Sequence, residues 1–480
     1  MHVLFAASEA TPLARTSCMG DVVAALPRAL QNAGIETSLV IPRYKTIPDA
    51  FPLERIARNI PIPIGDGHKT VDVYLTQLDR VHVYLIDQPD YYCRDGLYRF
   101  ENEDYLDNAE RFIFFSRAVV ELIPFYGSVP SIVHCHDWQT GLIPLYLKRY
   151  TADKAQYHGI RSLFTIHNLV SQGLFWRFDM HLTGLPWEYF RPDGIEFYGD
   201  LNLLKAGLLY SDAINTVSPT YCREIQTPEF GCGLDGVLRS METKLCGILN
   251  GADYDYWSPL SGEGIPAAYT HEDPTGKKIC KEALMRQAGL DLTDDAPLLC
   301  IISPLYGRKG VDLLELSIPD LVDSGCRIIL QGIGDRNYVH SFEQLAAGLQ
   351  GSFRFYHNLD PIRSREIIAG SDILIKPSRF EPCGLNQIYA LRFGTIPVVH
   401  QTGGLDDTVI DDPVNSEIQT GFKFKDYSRE AMQETIHRAL AVFRDPDRWL
   451  HLIRNAMRQD FSWNQSADRY LMLYRKLLGI

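Results

Sequence analysis

Short apolar runs alternate along the chain with segments of helical spacing. Residues 3–7 predict a buried strand, and residues 20–33 have helical character despite Pro27. Residues 107–122 predict an amphipathic helix, because their apolar side chains recur on one face and Asp107 can cap the first turn. This order of strands and helices indicates an α/β fold. Further strands are predicted at 37–41, 71–75, 81–86, 132–135, 162–166, 213–217 and 247–249.

The alternation breaks between residues 257 and 275, where Pro, Gly, Ser and acidic residues predict a segment that joins two domains. We expect two Rossmann-like domains, 1–257 and 258–460, that face each other across a cleft and bind ligands at the carboxyl ends of their strands. A final helix within 461–480 carries its apolar residues on one stripe, so it must pack on another element. The second series of strands is predicted at 298–303, 327–331, 353–357, 373–376 and 396–400.

Composition narrows the class of protein. A length of 480 residues with 45% hydrophobic content favours two domains over one core. A formal net charge of −13 disfavours binding to a phosphate backbone, so we expect no nucleic-acid partner. No run approaches the roughly 20 apolar residues of a membrane span, and the residues after Met1 do not resemble a leader. We therefore expect a cytoplasmic protein with no membrane partner. Ten cysteines without a C-x-x-C pair predict reduced thiols, not disulfides or a zinc site.

Residues 376–409 combine a strand end, an acidic loop, a helix and a second glycine loop. Glu381 lies between the predicted strand and helix, and Gly384 opens that helix, whose free N–H groups suit a phosphate. The loop 402–404 offers further backbone N–H groups. Two anion-accepting loops beside one carboxylate indicate transfer chemistry on a phosphorylated donor. The alternative is that Glu381 caps a helix and the glycines only turn the chain.

Two polar residues follow predicted strands elsewhere. His167 comes directly after strand 162–166, although a lone histidine is more often structural. Lys309 comes shortly after strand 298–303, where it can neutralise a leaving diphosphate or simply be a surface charge. Neither residue carries a function by itself.

Three short motifs could bind a metal or a cofactor. The sequence HCHD at 134–137 places alternate side chains on one face of a strand, but no second cluster completes four ligands. We therefore favour a strand-end His and Asp that face the cleft. The D-x-D at 253–255 is too short to be specific. The G-x-G at 332–334 lacks the third glycine of a dinucleotide fingerprint. We expect neither a metal nor a cofactor.

Several longer motifs together resemble bacterial glycogen synthases and the related plant starch synthases. They are SRFEPCGLNQ, TGGLDDTV, SPTYCREIQTPEFGCGLDGVL, GILNGADYDYWSP, FTIHN, HCHDWQTGL and DNAERFIFFSRA, and the similarity extends from residue 1 to residue 480. The resemblance implies the two-domain GT-B fold, with the helix of 461–480 packed on the N-terminal domain. It also implies transfer of glucose from ADP-glucose to the non-reducing end of an α-1,4-glucan, with retention of configuration and without a metal.

The resemblance implies catalytic roles for four residues of this chain. Lys309 would neutralise the diphosphate and Glu381 would orient the glucosyl hydroxyls. His167 would contact the sugar at the reaction centre, and Asp137 would lie near the acceptor. The donor-binding residues implied by the motifs are Arg15, Gly20, Asp21, Asn250, Cys383, Gly384, Leu385, Thr402, Gly403 and Gly404.

The chain departs from the family on the donor-phosphate side. The family's first glycine loop reads K-T-G-G-L, whereas residues 15–19 read RTSCM, so Ser17 and Cys18 replace both glycines. Pro304 stands where the family has an Arg, and proline supplies neither a charge nor an N–H group. Two alternatives therefore stay open: a weak or inactive relative that binds glucan or a partner enzyme, and a GT-B transferase that uses another nucleotide sugar.

Overall fold

The computed structural model describes residues 1–47, 50–101, 103–260, 264–292, 296–412 and 414–480. The chain divides into two units, one formed by Met1–Gly251 with Trp463–Ile480 and the other by Ala252–Ser462. Each unit contains one large sheet whose strands alternate with helices along the chain.

A nine-stranded sheet organises the first unit. The strands of this unit are β1 (His2–Ala6), β2 (Glu36–Pro42), β3 (Glu54–Ile64), β4 (Gly67–Leu78), β5 (Val81–Asp87), β6 (Arg99–Phe100), β7 (Glu103–Asp104), β8 (Ile132–His136), β9 (Arg161–Ile166), β10 (Leu174–Phe175), β11 (Glu196–Phe197), β12 (Asp200–Asn202), β13 (Ala213–Thr216) and β14 (Leu245–Gly247). The large sheet has the order β14-β13-β9-β8-β1-β2-β5-β4-β3 and is antiparallel only at β3–β4 and β4–β5. Every residue of the central strand β1 is buried, as expected for a parallel sheet covered on both faces.

Helices follow the strands of the first unit. They are α1 (Cys18–Asn32), α2 (Pro89–Tyr92), α3 (Asn108–Glu121), α4 (Ile143–Asp153), α5 (Leu203–Tyr210), α6 (Pro219–Glu224) and α7 (Asp235–Ser240). The Ser17 hydroxyl caps α1 by accepting the Met19 N–H at 3.2 Å. In α3, Phe112, Phe114 and Phe115 are fully buried, which anchors the helix in the core.

A six-stranded parallel sheet organises the second unit. Its strands are β15 (Leu298–Ile302), β16 (Arg327–Gln331), β17 (Phe353–Tyr356), β18 (Ile373–Lys376), β19 (Ile396–His400) and β20 (Phe422–Phe424), in the order β17-β16-β15-β18-β19-β20. The helices are α8 (Gly276–Ala288), α9 (Val311–Asp323), α10 (Arg336–Gly348), α11 (Pro361–Gly370), α12 (Asn386–Arg392), α13 (Gly403–Thr408), α14 (Arg429–Phe443) and α15 (Pro446–Met457). The central strands β15 and β18 are buried along their whole length, so the carboxyl end of this pair is where loops can build a site.

The last helix, α16 (Trp463–Leu478), belongs to the first unit. Its Tyr470 and Tyr474 are fully buried in the core that contains β1. The Tyr470 hydroxyl accepts from the Asn215 amide at 2.9 Å, and the Tyr474 hydroxyl bonds His134 Nδ1 at 2.8 Å. The helix therefore completes the packing of the first unit with both apolar and polar contacts.

The segment predicted to join the domains packs on the second unit. The Trp257 ring stacks flat on Tyr389 with centroids 3.8 Å apart. Tyr269 is 3% exposed, and its hydroxyl donates to the carbonyls of Ala369 and Phe393. Residues 261–263 of the predicted segment lie outside the described residues. At its described ends this segment is thus a packed part of an α/β unit.

Most predicted strands occur where the sequence indicated them. Strands β16, β18 and β19 have the predicted bounds, and β1 and β15 differ by about one residue at their ends. The predicted position of the last strand of the first unit, 247–249, is wrong, because β14 ends at Gly247, where the predicted strand began. Strand β3 was not predicted at all, since Pro61 and Pro63 lie inside it; it is an edge strand, where proline is tolerated.

Candidate functional site

The carboxylate of Glu381 lies between two lysine side chains in the second unit. Lys309 Nζ is 3.0 Å from Glu381 Oε1 and 2.9 Å from Oε2. Lys376 Nζ is 3.0 Å from Oε2, and Ser378 donates its hydroxyl to the same oxygen at 2.9 Å. Glu381 itself is 6% exposed. With one carboxylate and two ammonium groups, this Glu381 cluster carries a formal charge of plus one.

The environment keeps Glu381 ionised. Burial alone would raise the pKa of its carboxyl group. The charges of Lys309 and Lys376, and the hydrogen bonds that both donate, outweigh burial and hold that pKa well below its ordinary value. Glu381 is therefore a carboxylate throughout the neutral range and does not serve as a proton donor. It can hold cations and accept hydrogen bonds from hydroxyl groups.

A glycine lets the turn that carries Lys309 approach the end of β18. Lys309 ends a 3₁₀ turn, and Gly310 follows with a φ of +76° before α9 begins at Val311. A Cβ atom at Gly310 would lie 2.1 Å from the Pro377 carbonyl oxygen. Both the positive φ and the close approach require glycine here.

The glycine loop after β19 packs backbone against backbone on the Glu381 loop. A Cβ atom at Gly403 would lie 2.0 Å from the Glu381 carbonyl oxygen, and one at Gly404 2.0 Å from that of Cys383. The Gly404 N–H donates to the Glu381 carbonyl at 3.1 Å. The expectation that loop 402–404 offers open N–H groups is therefore wrong for Gly404. Thr402 beside it is 1% exposed.

Cys383, Gly384 and Leu385 form the turn into α12. Gly384 has a φ of +70°, and both Cys383 and Leu385 are buried. The helix begins at Asn386, two positions after the glycine that was predicted to open it. The Asn386 amide donates to the Ile302 carbonyl at the end of β15 at 2.8 Å, which ties this turn to the neighbouring strand.

Asp137 follows β8 in the first unit and has a φ of +55°, a backbone conformation that is rare outside glycine and is often found at functional sites. Its Oδ1 accepts the His167 N–H at 2.7 Å. Burial raises the pKa of Asp137 to about 7, although hydrogen bonds from the backbone N–H groups of His167 and Asn168 oppose the shift. The nearby charge of Glu9 adds to the increase. Asp137 thus titrates near neutral pH.

Three imidazole rings lie side by side next to Asp137. His167 Nε2 is 2.9 Å from His136 Nδ1, and the two rings are stacked with centroids 5.2 Å apart. Desolvation lowers the pKa of His167 to about 3, so its ring is neutral. His134 bonds Tyr474 and Thr165. Both His134 and His136 are fully buried, so the expectation of a strand-end histidine that faces a cleft is wrong.

These histidines do not form a metal site with their neighbours. His134 uses both ring nitrogens in hydrogen bonds to hydroxyl groups, and His136 Nδ1 is engaged with His167. Within the described ranges, no group of three or more His, Cys, Asp or Glu side chains is arranged to hold a metal ion.

Glu9 organises the loop 15–17 that leads into α1. It is 1% exposed, and it accepts the N–H groups of Thr16 at 2.7 Å and Ser17 at 2.9 Å. The Tyr98 hydroxyl donates to the same carboxylate at 2.8 Å. Ser17 is therefore held from one side by Glu9 while its hydroxyl caps α1. The sequence gives no signal for Glu9, because an acidic residue in a loop usually faces solvent.

The remaining donor-side candidates of the first unit lie around the start of α1 and after β14. Arg15 forms a bidentate pair with Asp21, with both N–O distances 2.9 Å. The Gly20 carbonyl accepts the Thr11 N–H at 3.0 Å. Asn250 is 4% exposed, and its side-chain oxygen is buried without a hydrogen-bond partner among the described residues.

The structure thus brings together two sets of the predicted residues. Glu381 and Lys309 meet in the second unit, and Asp137 and His167 meet in the first. Lys376 and Ser378 join the first set, although neither was predicted as a site residue. The signal for Lys376 was a charged residue at the end of an otherwise apolar strand.

Comparison with known proteins defines the class. The family described as "Starch synthase catalytic domain" matches residues 2–240, and the family "Glycosyl transferases group 1" matches residues 286–456. Together with the two α/β units, these matches identify a glycosyltransferase of the GT-B type and confirm the predicted fold class.

Full-length relatives are more specific. A glycogen synthase of Syntrophotalea carbinolica is 41% identical over 481 residues, which cover 100% of this chain and 99% of the relative. A glycogen synthase of Anaeromyxobacter sp. (strain Fw109-5) is 43% identical over 479 residues, covering 99% of both chains. The chain belongs to the glycogen synthase family, and the predicted resemblance is confirmed.

Solved structures agree with this assignment. The catalytic domain of starch synthase IV from Arabidopsis thaliana, bound to ADP and acarbose, has a TM-score of 0.92 and 32% identity, and the match covers 100% of this chain and 99% of that one. Sucrose-phosphate synthase from Thermosynechococcus elongatus shares the fold at 18% identity, with a TM-score of 0.62. Among the described residues, no helix has the length and apolar character needed to cross a membrane.

Proposed function

We propose that this glycosyltransferase moves glucose from ADP-glucose to the non-reducing end of an α-1,4-glucan and retains the anomeric configuration. The observation that carries the proposal is the Glu381 cluster, whose buried formal charge of plus one suits a departing diphosphate. Membership of the glycogen synthase family supports the substrate classes. The similarity to a starch synthase structure described with ADP and acarbose supports the nucleotide and the glucan.

In the proposed reaction, the bond between glucosyl C1 and the diphosphate oxygen breaks. A bond from C1 to the acceptor's 4-hydroxyl oxygen forms, and the hydroxyl proton passes to the departing diphosphate. Lys309 compensates the charge that develops on the diphosphate, and Glu381 accepts hydrogen bonds from glucosyl hydroxyls. No protein nucleophile is required, which agrees with a Glu381 carboxylate already held by two lysines.

The first unit contributes groups for the sugar and the acceptor in this proposal. His167 is neutral, so it can donate a hydrogen bond from one ring nitrogen without carrying a charge that would oppose a cationic sugar. Asp137 is fixed next to it and lies on the acceptor side. The unpartnered Asn250 oxygen, and Arg15 and Asp21 at the start of α1, contact the donor.

The turns of the second unit contact the donor through the remaining residues. At the entry to α12, the turn formed by Cys383, Gly384 and Leu385 presents its backbone to the diphosphate. The adjoining loop contains Thr402 and Gly403. Residues 1–257 act as the acceptor-side domain and residues 258–460 as the nucleotide-sugar domain, with 461–480 packed on the former.

All ten cysteines lie in the described part of the chain and are thiols, which supports a cytoplasmic location.

The test is incorporation of labelled glucose from ADP-glucose into glycogen, with UDP-glucose run in parallel. Glu381→Ala and Lys309→Ala should each lower the rate by about 10²-fold or more, because each removes a charge at the reaction centre. Lys45→Ala is the control, since Lys45 is half-exposed and its ion pair within the described part of the chain is with the exposed Asp95 at 2.8 Å. It should leave the rate unchanged.

Three outcomes separate the candidate functions. Transfer from ADP-glucose that both site variants abolish establishes the synthase. Faster transfer from UDP-glucose than from ADP-glucose identifies a GT-B transferase that uses another nucleotide sugar. No transfer from either donor, with glycogen binding intact, identifies the weak or inactive relative that Pro304 favours as the second candidate.

A further inference from the structure

Lys376 is a second buried cation on the Glu381 carboxylate. It is the last residue of β18, a strand buried along its whole length, and its side chain is 9% exposed. Its Nζ lies 3.0 Å from Glu381 Oε2, while Lys309 contacts both carboxylate oxygens. Without Lys376, the charges of Glu381 and Lys309 would cancel. The formal charge of plus one therefore depends on Lys376.

The sheet places Lys376 beside the strand end that carries Pro304. Strands β15 and β18 are parallel neighbours, with Leu299 opposite Ile373 and Cys300 opposite Leu374. Continuing this register sets Lys376 level with Ile302, two residues before Pro304. Both residues thus lie at the carboxyl edge of the same strand pair, where ligands of open α/β sheets bind.

The loop after β15, residues 303–310, brings one ammonium group to the Glu381 cluster, that of Lys309, but Pro304 adds no second charge there. Pro304 has neither a cationic side chain nor an N–H group. Arg308, further along the loop, is exposed, and its guanidinium carbon lies 5.8 Å from the centroid of the Tyr306 ring. A lysine side chain can supply the positive charge that Pro304 lacks, because its ammonium is a point charge on a flexible stem. That stem can turn from a carboxylate to a phosphate oxygen.

We propose that Lys376 binds the diphosphate of the nucleotide donor and supplies, from β18, the positive charge that Pro304 cannot supply from the end of β15. The proposal deepens the proposed function and rests on it for the identity of the ligand as a nucleoside diphosphate. When the donor binds, Lys376 and Lys309 share their hydrogen bonds between Glu381 and the phosphate oxygens. The same two ammonium groups then stabilise the diphosphate as it leaves.

The test measures ADP affinity by titration calorimetry and kcat with ADP-glucose and glycogen, on the full chain. Lys376→Met should weaken ADP binding at least about tenfold and lower kcat by about 10²-fold. Lys376→Arg, which keeps the charge, should stay within about threefold of the wild type in ADP affinity. The matched control is Lys281→Met. Lys281 is a partly buried lysine that pairs at 2.6 Å with Asp372, at the amino end of the same strand, and its loss should leave ADP affinity unchanged.

A second pair of variants tests the shared position. Pro304→Arg introduced into Lys376→Met should recover at least about tenfold of the lost ADP affinity, because the new guanidinium enters at the same sheet edge. Thermal unfolding of each variant shows whether it is folded. If the double variant does not fold, Lys376→Arg and Lys376→Met decide the matter by themselves.

The outcomes are distinct. Wild-type ADP affinity in Lys376→Met overturns the proposal. A loss of kcat without a loss of ADP affinity also overturns it, because Lys376 would then only position Glu381. Calorimetry needs no turnover, so the proposed function can fail separately. A chain that transfers no glucose, yet loses ADP binding on Lys376→Met and regains it with Pro304→Arg, would keep this assignment and lose the synthase activity.

Discussion

Asp137→Asn should remove a pH dependence from the stability of the first unit. Asp137 is 8% exposed, and burial raises the pKa of its carboxyl group to about 7 from 3.8 in the unfolded chain. The folded state therefore holds this proton more tightly than the unfolded state. The resulting contribution is fully present below pH 3.8 and is lost as the pH rises through 7. Asparagine keeps the Oδ1 acceptor for the His167 N–H and has no proton to lose.

The magnitude follows from the two pKa values. One pKa unit corresponds to about 1.4 kcal/mol, so the whole shift corresponds to about 4 kcal/mol. About 3 kcal/mol of this falls between about pH 5 and pH 8. For a unit of this size, 1 kcal/mol changes Tm by about 2 °C. The Tm of Asp137→Asn minus that of the wild type should therefore increase by about 6 °C over this range.

The assay is thermal unfolding followed by circular dichroism at several pH values between about 5 and 8. The difference between the two proteins is the quantity to follow, because every other group titrates alike in both. A constant Tm difference across the range would show that Asp137 is ionised at ordinary pH in the folded protein. Burial would then not raise the pKa of Asp137 as inferred from its position in the folded protein.

Two further substitutions test the packing around the two clusters. Gly310→Ala should destabilise the second unit by at least about 2 kcal/mol in urea unfolding, because φ is +76° and the new Cβ would meet the Pro377 carbonyl. It should also lower the transfer rate, because the turn carries Lys309. Wild-type stability would show that the turn can relax. Tyr474→Phe should cost about 1–3 kcal/mol in the same assay, because it leaves His134 Nδ1 buried without its partner at 2.8 Å. Tyr198→Phe, at a side chain 85% exposed, is its control, and equal losses in the two variants would contradict the hydrogen-bond argument.

The sheet strands could be predicted because they are buried on both faces. Strands such as β18 and β19 are apolar up to a polar last residue, Lys376 and His400 respectively, so their bounds follow largely from the pattern. Strand β3 is the counterexample. It is largely exposed and contains two prolines, and only its place at the sheet edge makes it a strand.

The candidate site could be predicted in part. Glu381 and Lys309 are 72 positions apart, and the order of strand, loop and helix placed both at strand ends. The sequence could not show that Lys376 turns its ammonium to Glu381, because alternation along a fully buried strand does not assign a face to its last residue. Nor could it show that Glu9 holds Ser17, since that contact depends on the path of a loop.

The placement of α16 has a consequence for synthesis on the ribosome. The second unit emerges complete while the first still lacks Tyr470 and Tyr474, which are its partners for Asn215 and His134. A nascent chain that has reached Ser462 thus exposes an apolar groove and unpaired polar groups in its first half. The first unit, although begun earliest, can complete this packing only once α16 has been made.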